Sequence, residues 1–403
     1  MTLFSNLELA PRDPILGLNE AFAADPRPEK INLGVGVYYD AQGRLPLLRS
    51  VRDAEASLCE TPKPYPYLPI DGLPAYNHAA QELLLGKDSE VIAAGRAVTV
   101  QSVGGTGALK IGADFLHRLS PSATAAVSNP TWENHRAIFE GSGFAVNEYT
   151  YYGPEKRALN FEGMLHDLQA LPAGSVIVLH ACCHNPTGID LNEDQWGILI
   201  EQIRVAKLVP FLDLAYQGFA EDLEADAKAV RLFAASGLPV FIAQSFSKTF
   251  SLYGERVGAL TVIAQDAEEA TRILSQLKRV IRANYSNPPT HGALLVSTVL
   301  NSPRLREIWA DELQGMRERV RGMRRGLVAR IAAHGDPADY SFIVRQKGMF
   351  SYSGLSKEKV RRLREEYAIY ALDSGRLCIA ALNEDNIDRV AKAIAEIDKE
   401  SKE

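Results

Sequence analysis

Lys248 sits among three hydroxyl residues, Ser245, Ser247 and Thr249, directly after the apolar run LPVFIA at 238–243. Arg256 follows eight residues later. A lysine on a solvated face needs no such setting. A lysine that forms a covalent bond beside a bound phosphate does, because hydroxyls and a guanidinium can hold the anion while the amine reacts.

The elements that must present this lysine are legible as alternating patterns. The stretches 97–103, 124–128, 175–183, 208–216, 238–246 and 257–264 are near-continuous apolar runs, as expected for strands covered on both faces. Helix-like segments separate them; over 267–283, Ile273, Leu277, Val280 and Ile281 share one face. This alternation predicts an α/β domain with a mostly parallel sheet. From Leu305 to Ile331 apolar residues keep helical spacing, with Gly315, Gly322 and Gly326 placed to bend the run. Then come the strand-like GMFSYSGL, a helix over 356–369 with Ser356 placed to cap it, the strand-like GRLCIAAL and a last helix. That is a smaller α+β unit. The long helix joins the two, and the cleft between them is the default ligand site.

Ligands of open α/β sheets sit beyond the carboxyl ends of strands. The first strand leads into GGTGALK, where backbone amides and the Thr106 hydroxyl could hold a phosphate at a helix N-terminus. The second leads to Trp132 and His135, the third to Asn185, the fourth to Asp213 and Tyr216, and the fifth to Ser245, Ser247 and Lys248. Arg256 stands at the head of the sixth. Each feature has a bland reading: a plain turn, a core tryptophan, a helix cap, a solvated amine. The conjunction is what counts. A phosphate cup, a flat aromatic, an amide, a carboxylate with a phenol and a lysine match pyridoxal phosphate, which has a phosphate, an aldehyde, a phenolic oxygen and a pyridine nitrogen.

These residues resemble the class I, fold-type I pyridoxal-phosphate aminotransferases, in the aspartate and aromatic amino acid subgroup. NLGVGVY, YLPIDGL, GGTGAL, SNPTWENH, CCHNPTG, DLAYQGF, SFSKTFSLYGERVG, RANYSNPP, GMFSYSGL and SGRLCIA follow the family's order over almost the whole chain. The resemblance implies a large cofactor domain with a mostly parallel seven-stranded sheet and a smaller α+β domain built from both chain ends. The implied boundaries are an N-terminal arm at 1–12, the small domain at 13–45 and 316–403, and the large domain at 46–315. It also implies a homodimer with shared active sites.

The resemblance assigns roles as well. Lys248 is the Schiff-base lysine and proton carrier. Asp213 partners the pyridine nitrogen, supported by His135. Tyr216 and Asn185 bond the phenolic oxygen, and Trp132 stacks on the ring. Gly105, Thr106, Ser245, Ser247 and Arg256 bind phosphate, with Tyr67 reaching in from the other subunit. Arg376 grips the substrate α-carboxylate in a fork that lysine cannot match. Gly36 lines the substrate side, and Arg282 of the partner subunit pairs with a distal carboxylate. Tyr39 and Leu45 lean towards aromatic substrates, whereas Thr106 and Asn287 match the aspartate pattern. The expected reaction moves the amino group of tyrosine and phenylalanine, and also of aspartate, to 2-oxoglutarate.

Other classes stay open at this point. An aspartate aminotransferase with little aromatic activity is one. An NAD-dependent oxidoreductase using GGTGALKIG is another, though this lacks G-x-G-x-x-G and no acidic residue ends the next strand. A catalytically dead cofactor-fold binder is a third. No metal site is expected, since the adjacent Cys182 and Cys183 cannot easily both reach one tetrahedral ion; His180 reads as a supporting hydrogen-bonding group, like His135. The formal net charge of -6 and pI of about 5.9 show no nucleic-acid or polybasic membrane footprint. No signal peptide or apolar span is legible, and four cysteines without ligand spacing point to a reduced, cytoplasmic setting.

Overall fold

The computed structural model describes residues 2–10, 13, 15–60, 62–335 and 338–400. Residues 1, 11 and 12 of the expected arm, and 401–403 at the other end, lie outside the described residues.

Seven strands form the main sheet: β1 (Ala97–Val103), β2 (Thr124–Asn129), β3 (Ala145–Thr150), β4 (Val176–His180), β5 (Val209–Leu214), β6 (Val240–Ser245) and β7 (Val257–Ile263). Their spatial order is β1-β7-β6-β5-β4-β2-β3. All pairs are parallel except the two made by β7, which runs antiparallel to β1 and β6. Strands β4, β6 and β7 are buried along their whole length, which is why they read as unbroken apolar runs. The edge strand β3 has no such run. Five of its six residues, among them Asn147 and Glu148, are not buried, and it escaped the sequence pattern for that reason.

Chain order and space order differ most where β1 meets β7 and where β2 separates β4 from β3. Crossovers therefore bring the carboxyl ends of β1, β2, β4, β5 and β6 to one side of the sheet. The helix Gly104–Leu119 begins at once after β1 and packs on β6 and β7. Gly112 lets it approach closely: an added Cβ would lie 2.5 Å from the Phe211 ring. Gly258 serves the same end between strands. A Cβ there would meet the Gly104 backbone carbon at 2.6 Å and the Gln244 carbonyl oxygen at 2.7 Å. The phosphate-side glycine turn and β7 can lie together only because neither carries a side chain at this point.

Pro303–Ala333 is one continuous 31-residue helix. Gly315, Gly322 and Gly326 all lie within it. The apolar stripe on this helix is buried from Leu305 to Ile331, and that packing outweighs the low helix propensity of three glycines. Its Trp309 stacks on Phe250 with ring centres 4.4 Å apart, and the Trp309 indole N–H donates to the Thr249 carbonyl at 2.7 Å. The aromatic pair contributes about 0.5–1.5 kcal/mol beyond burial. It clamps the segment that carries Lys248.

Short sheets complete the remaining unit. Phe350–Tyr352 pairs antiparallel with Arg376–Cys378, and Ile31–Asn32 pairs parallel with Ile369–Tyr370. The helix Lys357–Tyr367 starts at Ser356, whose hydroxyl accepts from the Lys359 amide. Both chain ends thus meet in these elements.

Two glycine substitutions should act in opposite directions. Gly258→Ala should lower unfolding free energy by about 1–3 kcal/mol, because the methyl meets backbone that cannot move aside. Gly322→Ala, whose methyl enters open space on the long helix, should raise it by up to about 1 kcal/mol. Chemical denaturation of both variants checks this. Equal effects of one sign would contradict the packing described.

Candidate active site

A cavity of about 200 Å³ opens at the carboxyl ends of the central strands. Lys248 enters it just beyond β6, with Nζ 5.2 Å from the centre of the Tyr216 ring. Burial draws its ammonium down to about 8; Asp213 opposes this, while the charges of Arg256 and Arg376 reinforce it. The amine is therefore far closer to neutrality than an exposed lysine. This is the state in which it can act as a nucleophile or a base.

Asp213 ends β5 at the cavity floor and is 5% exposed. Its Oδ2 lies 2.8 Å from Nε2 of the fully buried His135, whose Nδ1 lies 2.9 Å from the Thr131 hydroxyl. Burial pushes this carboxyl up. The His135 hydrogen bond and the positive charge of Lys248 outweigh that, and the group stays below its ordinary value. A buried carboxylate is thus kept ionised and directed at the cavity. His180 lines the same floor, 4.9 Å ring to ring from His135, and burial holds it neutral. Donor atoms of His135, His180 and Asp213 lie within 4.8 Å of one another. Both His135 nitrogens are already engaged, however, so this trio is a hydrogen-bond relay rather than an open ligand set. In the other cluster, Cys182, Cys183 and Asp226, the carboxylate already accepts from the amides of Gly218, Ala220 and Glu221.

One rim of the cavity is built for an anion. The helix Gly104–Leu119 starts at Val103 with no side-chain cap, so its first amides face the cavity unsatisfied. Gly104 has φ +68, and a Cβ there would sit 2.6 Å from Nη2 of Arg256. The guanidinium and the turn share space that a larger residue would fill. Arg256 itself holds a left-handed backbone, φ 52, and its Nη1 donates to the Ser247 hydroxyl at 3.3 Å. Ser245, next to Gly105, completes this rim with Thr106.

The opposite wall carries Arg376, only 1% exposed. Its Nη1 donates to Asn185 Oδ1 at 2.9 Å, and its Nη2 to the Gly34 carbonyl at 2.6 Å. The guanidinium lies 4.1 Å from the Phe350 ring centre. No carboxylate pairs with it among the described residues, and its Nε is buried without a partner. A buried cation left in this state is costly. A carboxylate entering the cavity would relieve it through a two-pronged bond.

The matching family model, described as aminotransferase class I and II, spans residues 28–394. The aspartate aminotransferase of Pseudomonas aeruginosa is 59% identical over 98% of this chain and all of its own length. The aromatic-amino-acid aminotransferase of Escherichia coli is 48% identical with the same coverage. Among solved structures, the aromatic-amino-acid aminotransferase of Burkholderia pseudomallei, covalently bound to pyridoxal phosphate, superposes with a TM-score of 0.96 at 61% identity. That match covers 98% of this chain and all of the other. The chain belongs to the class I and II aminotransferases.

Within this aminotransferase, Gly36, Gly105, Thr106, Trp132, Asn185, Asp213, Tyr216, Ser245, Ser247, Lys248, Arg256 and Arg376 all line the one cavity. Tyr67 and Arg282 do not. Tyr67 is 93% exposed, and Arg282 lies on the surface, bonded to the Ser286 hydroxyl. Tyr39 and Leu45 are also outside the lining, with Leu45 half exposed. Sequence reasoning passed over Ile15, Leu109, Ala215 and Phe350, which do line it. Apolar residues carry no chemical flag. Phe350 had one indirect signal, its glycine-flanked strand beside the arginine strand.

The Lys248 setting is testable without turnover. In the cofactor-free protein, reductive alkylation of Lys248 by a small aldehyde, followed by peptide mass spectrometry, should rise with a midpoint near pH 8. Asp213 is the group that raises this amine, so Asp213→Asn should move the midpoint lower still. A midpoint at the ordinary lysine value in both proteins would contradict the desolvated site.

Proposed function

We propose that this aminotransferase moves the amino group of tyrosine, phenylalanine and aspartate to 2-oxoglutarate, using pyridoxal phosphate and working as a cytoplasmic homodimer. The observation that carries the reading is the convergence, in one cavity, of an amine near neutrality, an ionised buried carboxylate, an uncapped helix N-terminus and a buried arginine without a counter-charge. The residues fit the cofactor. The glycine cradle beside Arg256 suits its phosphate, and the Asp213 carboxylate suits a protonated ring nitrogen. The Burkholderia pseudomallei relative is covalently bound to this cofactor, which supports the same assignment.

When bound, pyridoxal phosphate supplies an aldehyde that condenses with amines and a ring that draws electrons from the substrate Cα. The protein's own groups do the rest. Lys248 takes the proton from Cα and returns one, which needs the free amine. Asp213 holds the proton on the ring nitrogen, and His135 keeps Asp213 oriented and ionised. Tyr216 and Asn185 would bond the phenolic oxygen, and Trp132 would stack on the ring. Gly105, Thr106, Ser245, Ser247 and Arg256 hold the phosphate, and Arg376 holds the substrate α-carboxylate. Substrate and product acids alternate at one site, so the kinetics are ping-pong.

The homodimer is supported by what a single chain leaves incomplete. Leu3, Phe4, Leu7 and Leu9 are all exposed, with Leu9 at 99%. So are Tyr65 and Tyr67. Apolar side chains gathered in this way need a surface to cover them. A second copy placed there would bring its Tyr67 to the phosphate and its Arg282 to the distal substrate group. Residues 13–45 and 316–403 would then form the smaller domain that closes on substrate, against a large domain at 46–315. A second reading, an aspartate aminotransferase with little aromatic activity, is favoured by the name of the 59% identical Pseudomonas aeruginosa relative.

Arg282→Leu separates the readings. Loss of a charge-assisted pair should cost roughly 2–5 kcal/mol. We expect kcat/KM for aspartate and glutamate to fall by about two to three orders of magnitude, with a much smaller loss for tyrosine and phenylalanine. The four donors are compared at varied 2-oxoglutarate, because the acceptor is weakened too. An equal loss for all four would give Arg282 a general role. Negligible wild-type activity on tyrosine and phenylalanine would select the second reading.

A further inference from the structure

A second cavity, of about 310 Å³, lies away from the active site. Its walls are the segment Phe219–Glu221, one face of the long helix Pro303–Ala333, and the segment Val344–Gly348. Six cationic residues line it: Arg317, Arg321, Arg324, Arg325, Arg345 and Lys347. Among the described residues that line it, the one carboxylate is Glu221, and it is already taken. Arg321 reaches it at 2.5 Å and Lys347 at 3.0 Å.

The other four arginines have no carboxylate partner among the described residues. Two of them are deeply buried. Arg324 is 2% exposed and donates only to neutral acceptors: the Ser351 hydroxyl at 3.1 Å and the carbonyls of Gly348 and Phe350 at 2.6 and 3.1 Å. Burial lowers its guanidinium to about 10, the sign of a cation without compensation. Arg317 is 9% exposed, donates to the Gly218 carbonyl at 2.8 Å, and has a buried Nε with no partner. A solvated basic helix face would keep its guanidinium groups in water. Here two are drawn inside, where an unpaired charge is destabilising unless an anion joins it. Arg325 and Arg345 stand exposed at the mouth.

We propose that this cavity binds a small multivalent anion, one carrying phosphate or several carboxylate groups. Arg317 and Arg324 form its floor and Arg325 and Arg345 its mouth. A monovalent anion would meet only one or two of the four free guanidinium groups. Phosphate and carboxylate both match the planar donor fork of arginine. The walls also continue into the active site. Tyr216 precedes the Phe219–Glu221 wall by three residues, and Phe350, under the Arg376 guanidinium, accepts from Arg324.

Calorimetry on the cofactor-loaded enzyme tests this, with pyrophosphate and citrate titrated separately at constant ionic strength. The titrations are repeated with the active site filled by an unreactive dicarboxylate. Arg325→Gln/Arg345→Gln removes two mouth charges without disturbing the buried floor. We expect saturable one-to-one binding of at least one probe that survives filling of the active site. The double variant should weaken it about tenfold or more, as for loss of a charge-assisted bond. Tighter binding of pyrophosphate would mark a phosphate-bearing ligand, and of citrate a polycarboxylate. The proposal is overturned by absence of saturable binding of either probe, by loss of binding when the active site is filled, or by unchanged affinity in the double variant.

Discussion

The hydrogen bond between His135 and Asp213 is the constraint on which the rest of the site depends. Burial near the end of β5 would, by itself, push this carboxyl up towards protonation. His135, completely enclosed and fixed on its other side by the Thr131 hydroxyl, prevents this. An ionised Asp213 has two consequences. On the proposed reading it partners a cationic ring nitrogen, and it stops the neighbouring Lys248 from losing its charge at still lower pH. One buried pair would thus set both the electron sink and the poise of the base.

Such a pair needs a rigid frame. Strands β4, β5 and β6 lie side by side in parallel, with His180 level with Asp213 and Asp213 level with Ala243, so Ser245 emerges two residues further along the same end of the sheet. The antiparallel β7 then brings Arg256 back to the glycine turn after β1. Trp309 on the long helix clamps the backbone just past Lys248. Arg376 comes from far along the chain and is held by Asn185 and Gly34, respectively 191 and 342 residues away in sequence. The two charged walls of the cavity are therefore contributed by separate parts of the fold, which on the proposed reading leaves one wall to fix a cofactor and the other to exchange acids.

Much of this was legible in the sequence, for reasons that differ between elements. Strands buried on both faces announce themselves as apolar runs, and residues just beyond them face a common ligand side, so Asn185, Asp213, Tyr216 and Lys248 could be picked out locally. The edge strand β3 was hidden because half of its surface is wet. The long helix was legible because its apolar residues keep helical spacing across three glycines, whose low propensity the tertiary packing overrides. Phe350 and Ile15 line the cavity through contacts set only by the fold. The surface positions of Tyr67 and Arg282 were invisible to local pattern, since their assigned roles need a second chain.

On the proposed reading, Asp213 keeps a proton on the cofactor ring nitrogen. The most direct measurement is the nitrogen-15 chemical shift of ring-labelled pyridoxal phosphate bound to wild type and to Asp213→Ala. The protonated-pyridine shift is expected in wild type across mildly acidic to mildly alkaline pH, and the unprotonated shift in the variant. The same unprotonated shift in both proteins would contradict it.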